Sequence, residues 1–169
     1  MKLTKLFSVL LIALITISCS KSDDSSNTFD YNKDNLAGTF SLTAFKSKKI
    51  KTVKVEGFDV TTTTVATGDT FDVLYKFDSD NVVTMDGTYR VTEVKTQGGE
   101  SSQDAFIIVL NSEKINYLVK EATTELTLDG KTFKVNNFSR TGFKINFEET
   151  LVEDNGDNTV FTEEWVFSK

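Results

Sequence analysis

From Gly38 to the C-terminus, apolar and polar residues alternate with a period of two, and no proline interrupts the pattern. Phe40, Leu42 and Ala44 fall on one face of "GTFSLTAF". Phe71, Val73, Tyr75 and Phe77 share a face of "TFDVLYKF". Phe143, Ile145 and Phe147 do so in "TGFKINFEETL", and Phe161, Glu163, Trp165 and Phe167 in "VFTEEWVFSK". A helix, with its period of 3.6, scatters such a set around its axis; a strand with one buried face keeps it together. Thr, Val and Phe dominate, and these suit a pleated, half-buried surface.

Turn chemistry punctuates the runs. "DSDN" at 78–81, "MDG" ending at Gly87, "QGGESS" at 97–102, "LDG" ending at Gly130, "SRTG" at 139–142 and "DNGDN" at 154–158 all favour turns or left-handed backbone. "DGTYRV" at 86–91 and "DGKTFKV" at 129–135 read as repeated hairpin chemistry. In "SEKINYLVKEA", helical and strand spacing compete; Tyr117 and its β-branched neighbours favour strand over 112–122. The spacing indicates about eight to ten short antiparallel strands in one domain. Such a sheet manages its edges by closing into an up-and-down barrel or by stacking as a β-sandwich.

Residues 1–18 differ from this pattern. Lys2 and Lys5 precede the apolar run Leu6–Ile17, which is too short to span a bilayer as a helix. The run ends at "ITISCSKSDD", which holds the only cysteine, Cys19. This junction resembles the lipobox of bacterial lipoproteins, although Thr16 stands where leucine is commonest in that motif. The resemblance implies that residues 1–18 are a lipoprotein signal peptide and that Cys19 is lipidated. A lone cysteine in an exported chain has no intramolecular disulfide partner, which agrees with such a role. The alternative is an ordinary signal peptide or anchor that happens to end in cysteine. Residues 19–34 then form a polar tether, with the domain spanning 35–169. Ser20, where aspartate favours inner-membrane retention in that family, points to the outer membrane. Lys21-Ser22-Asp23-Asp24 resembles an export tag to the cell surface, or is a plain solvated linker.

A second resemblance concerns the domain. "NLAGTFSLTAF" at 35–45 looks like the opening strand of small lipocalin-like lipoproteins, with Phe40 in the aromatic slot, and "TEEWVFSK" resembles their closing strand. This implies a lipocalin-like barrel holding a small apolar ligand, with Phe40, Tyr75, Glu163 and Trp165 as candidate ligand contacts. Twelve phenylalanines in the domain consume interior volume, so a shallow, open-ended pocket is expected, with small residues such as Ala44 leaving space near one mouth.

The remaining composition excludes more than it assigns. There is no histidine, hence no Ser-His-Asp or Cys-His catalysis and no His metal site. No phosphate-cradling glycine motif occurs. Nineteen basic side chains fall to 17 when Lys2 and Lys5 leave, against 25 acidic ones, a balance that argues against nucleic acid. No catalytic residue, metal or cofactor is expected, and the chain is read as a non-enzyme. Glu163 stands out as a carboxylate on an otherwise apolar face. It is either a ligand-anchoring or acidic group, or a structural ion pair with Arg90, Arg140 or a lysine. "DNGDN" and "DSDN" are better hairpin turns than Ca²⁺ loops. The basic run "KSKKIKTVK" at 46–54 is either a lysine-guarded strand edge or a contact for an acidic polysaccharide, and "TTTT" at 61–64 is read as plain exposed strand. The competing overall reading is a structural or interaction subunit with no ligand and with protein partners.

Overall fold

The computed structural model describes residues 29–169; the expected signal peptide, Cys19 and most of the expected tether lie outside that range. Eight strands follow in chain order: β1 (Gly38–Val55), β2 (Phe58–Phe77), β3 (Val82–Gln97), β4 (Glu100–Lys120), β5 (Glu125–Leu128), β6 (Lys131–Ser139), β7 (Gly142–Val152) and β8 (Asn158–Ser168). Each pairs antiparallel with its sequence neighbours, and β8 pairs with β1 from Ser41↔Ser168 to Thr52↔Asn158. The sheet is therefore an up-and-down β-barrel. A short helix, α1 (Lys33–Leu36), precedes β1, and a single 3₁₀ turn (Glu121–Thr123) separates β4 from β5. Residues 112–120 are strand, as their aromatic and β-branched content predicts.

The ring is uneven. β1 to β4 have 16 to 21 residues each, whereas β5 has four. β4 meets β5 only over Tyr117–Lys120. At the α1 end the barrel is thus complete. At the other end the long strands continue as an open sheet whose inner face carries on from the barrel interior.

The complete end is filled with aromatic rings. Phe40, Phe77, Phe143 and Phe167 are almost fully buried, and Phe143 lies 4.8 Å from Phe167 and 5.0 Å from Phe40 between ring centroids. Leu36 on α1 closes this end and is fully buried. The packed part starts earlier than Asn35, where the sequence suggested the domain begins. Phe29 stacks on Phe138 at 5.4 Å, and the Tyr31 hydroxyl donates a 2.9 Å hydrogen bond to the Glu125 carbonyl. Asn32 caps α1 by accepting from the Asn35 N–H at 2.8 Å. Two aromatic rings in a polar tract gain more from burial than their ordering costs.

Two local features depart from the sequence reading. The β1 ladder slips between Leu42 and Ala44, so Ala44 is exposed and Phe45 takes the inward place. A β-bulge of this kind inserts one residue and re-aims those beyond it. The expectation that Ala44 leaves internal space is therefore wrong. The second lies at Gly87, read from sequence as a turn, which sits inside β3 opposite Val73. Its φ of +117° and its closeness to β2, where an added Cβ would lie 2.0 Å from the Asp72 carbonyl oxygen, both require glycine. Glu56–Gly57 forms a further hairpin turn that the sequence reading passed over.

Candidate functional site

Where the complete barrel gives way to the open sheet, a cavity of about 150 Å³ penetrates the interior. Tyr75, Met85, Ile115, Leu128, Phe133 and Trp165 line it, with Lys131 and Glu163 beside them. These residues come from six strands, and each is on the inward phase of its own. The alternation that specifies the fold therefore also converges them. The Asp129–Gly130 turn starts β6 at Lys131, whose side chain reaches Glu163 on β8.

The charged pair belongs to the wall. The Lys131 ammonium donates to Glu163 Oε2, and the two side chains are 33% and 10% exposed. The same ammonium lies 4.2 Å from the Phe147 ring centroid, 4.7 Å from Phe161 and 5.2 Å from Phe133. Three ring faces and one carboxylate therefore share the cation. Of the partners expected for Glu163, the structure selects a lysine over Arg90 and Arg140. Arg90 instead holds Asp69 through two 2.8 Å hydrogen bonds.

Tyr75 and Trp165 provide the polar atoms of the lining. Burial, followed by the nearby Tyr89, Glu163 and Glu113, pushes the Tyr75 phenol far above its ordinary range, so it remains a neutral hydroxyl. The Trp165 Nε1 is buried and has no hydrogen-bond partner among the described residues. Its ring packs edge-on against Tyr75 at 5.7 Å and Phe45 at 5.9 Å.

Of the four sequence-derived contacts, Tyr75, Glu163 and Trp165 meet at this cavity and Phe40 does not. Phe40 is 1% exposed and packs edge-on against Phe77 and Phe143 at the opposite end. Its side chain is core, because the bulge lies beyond it on β1. The sequence reading missed Met85, Ile115, Leu128, Lys131 and Phe133 as lining residues. Lys131 carried a legible signal, since it alternates with Phe133 and Val135 as Glu163 does with Trp165 and Phe167. Among the described residues, no group of three or more His, Cys, Asp or Glu is placed to hold a metal ion, and no helix is long and apolar enough to cross a membrane.

No family model matches the chain, and no curated protein or solved structure matches it either.

The titratable groups give the domain a defined pH profile. Asp69 is held below the ordinary carboxylate range by hydrogen bonds from Arg90 and Thr70, Glu125 by those from Lys134 and Thr123, and Glu164 chiefly by that from Lys144. A depressed carboxylate stabilises the fold above its unfolded pKa, and that contribution is lost as pH falls through the folded value. Burial raises the phenols of Tyr31, Tyr75, Tyr89 and Tyr117, so their contribution is complete below the ordinary tyrosine value and is lost at higher pH. With no histidine, nothing of this kind titrates near neutrality. Melting temperatures are expected to be flat from about pH 6 to 8 and to fall below about pH 4 and above about pH 10. Differential scanning calorimetry across that range measures this, and a step near pH 6.5 would contradict it.

Proposed function

We propose that this chain is a lipid-anchored protein of the bacterial cell envelope. Its lipocalin-like barrel takes a small apolar ligand at the open end of its interior, without metal or cofactor and without catalysis. Cys19, acylated after removal of residues 1–18, holds it at the outer membrane, on the periplasmic or surface side. One observation carries the ligand reading: a cavity of about 150 Å³ lined mainly by apolar and aromatic side chains and flanked by one charged pair. A cavity of that size suits a molecule of about benzene size, so an entire acyl chain does not fit. A second reading, a ligand-free interaction subunit, is favoured by how completely aromatic rings fill the remainder of the barrel.

Two measurements test the proposal. Cys19→Ala is expected to abolish incorporation of a fatty-acid label and cleavage after Ser18 in cells; a variant still processed and labelled refutes the anchor. Trp165 is the only tryptophan, so its emission reports directly on the cavity. Indole, phenol, benzoate and short-chain alkanols are expected to shift or quench it, with little dependence on pH between about 6 and 8. No response to any of them would exclude the ligand reading and leave the interaction subunit.

A further inference from the structure

The basic run "KSKKIKTVK" does not guard an edge over most of its length. Residues 46–52 of β1 are paired on both sides, with β2 from Lys46↔Thr67 to Thr52↔Thr61 and with β8 from Lys46↔Glu164 to Thr52↔Asn158. Lysines that block edge-to-edge pairing have no purpose there. The alternation divides the run between two faces. Lys46 and Lys48 lie on the outer face with carboxylates near them: Glu164 is directly opposite Lys46, and Glu148 is opposite Thr162, the partner of Lys48.

Lys49 and Lys51 lie on the inner face, where Glu149, opposite Phe161, stands to Lys49 as Glu148 does to Lys48, but neither lysine makes an ion pair. Their neighbours are Phe161 and Thr159 on β8 and Thr64 and Thr62 on β2. Across β2, Thr64 is also opposite Lys95 of β3. Lys49, Lys51, Lys95, Thr62 and Thr64 together line one hollow of about 240 Å³. Among the described residues none of these three lysines makes an ion pair. Carboxylates of the same face sit in the row below, where Glu163 is held by Lys131 and Glu93 is opposite Asp104. Glu149 shares the row of Lys49, across Phe161, and Glu100 that of Lys51, across Thr62 and Gln97, without pairing with either.

Three ammonium groups without an ion pair share one hollow with two threonine hydroxyls. A multiply charged oxyanion would accept from both kinds of donor there. We propose that this hollow is an oxyanion site for a phosphate or sulfate group, with Lys49, Lys51 and Lys95 as charge partners and Thr62 and Thr64 as donors. The "TTTT" segment is then part of a binding surface. The oxyanion is either free or the head of an amphiphile whose chain enters the apolar cavity. Only the second source rests on the ligand reading above. The hollow lies two rows beyond Trp165 on the same face, about 13 Å along the strand, which a short alkyl chain spans.

The test compares the full chain with two variants of equal charge change, Lys49→Gln/Lys51→Gln/Lys95→Gln and Lys46→Gln/Lys48→Gln/Lys54→Gln. Inorganic phosphate is titrated calorimetrically, and octyl phosphate by Trp165 emission. Saturable phosphate binding is expected that weakens about tenfold in the inner-face variant, is kept in the outer-face variant and declines with added salt. A Trp165 response to octyl phosphate with the same lysine dependence would identify the amphiphile as the source; phosphate binding without it would identify the free ion. No saturable phosphate binding, or equal loss in both variants, would overturn the site. Octyl phosphate that shifts Trp165 emission equally in all three proteins would overturn it too, while leaving the cavity reading intact.

Discussion

Phe143→Ala is expected to cost about 3–5 kcal/mol of stability, the largest effect of any single truncation considered for this chain. The ring is 3% exposed and is the hub of the complete end of the barrel. It stacks on Phe167 at 4.8 Å, meets Phe40 edge-on at 5.0 Å and contacts Phe138 at 5.8 Å and Phe77 at 6.2 Å. Those neighbours come from β1, β2, β6 and β8, so no single strand can relax to fill the space. The cavity term therefore adds to the lost transfer energy in full. Equilibrium denaturation should show a lower midpoint with an unchanged slope, because the same surface is still exposed on unfolding. Trp165→Ala is the informative comparison. Its ring is only partly buried and borders the cavity, so it should cost less than Phe143→Ala. Similar, surface-like costs at both positions would mean that the inward faces are wrongly assigned.

Those faces were legible because the period of two is a direct consequence of the pleat. Phe71, Val73, Tyr75 and Phe77 all point inward, as do Phe143 and Ile145, and the turns at 78–81, 129–130 and 154–156 lie where Asp, Asn and Gly cluster. What the alternation cannot show is a change of phase. At Ala44 the bulge inserts a residue, and nothing local in "SLTAFKS" marks it, because both Ala44 and Phe45 are acceptable at an inward position. Asp-Gly is equally ambiguous. At 129–130 it makes a hairpin turn, and at 86–87 the same pair lies within β3, where the glycine relieves a close approach between strands. Only the partner strand distinguishes the two uses. The lysine run failed for the opposite reason. Edge protection is a property of a strand's neighbours, and β1 has one on each side.

The Lys131–Glu163 pair was partly legible, and it supports the second large prediction. Each residue interrupts an apolar face, and opposite charges on two such faces of one barrel are natural partners. Lys131→Met is expected to cost about 2–3 kcal/mol. Methionine keeps the length of the stem and its contact with Phe133, Phe147 and Phe161, so the loss reports charge more than packing. It leaves the Glu163 side chain, 10% exposed, without its cation. Breaking a buried pair from one side costs about 3–5 kcal/mol, and the lower figure here reflects a lysine that keeps 33% of its side chain in solvent. Lys131→Met/Glu163→Leu should return to within about 1 kcal/mol of the parent, since an apolar pair no longer carries the desolvation cost of two ions. The coupling energy from this double-mutant cycle, measured by denaturant unfolding, separates the alternatives. If the single variant costs under about 1 kcal/mol, the pair behaves as a solvated surface bridge and the cavity mouth is wet. If the cycle gives strong coupling, the mouth is dry, and the double variant should bind neutral aromatic probes more tightly than the parent, because its cavity wall is then wholly apolar.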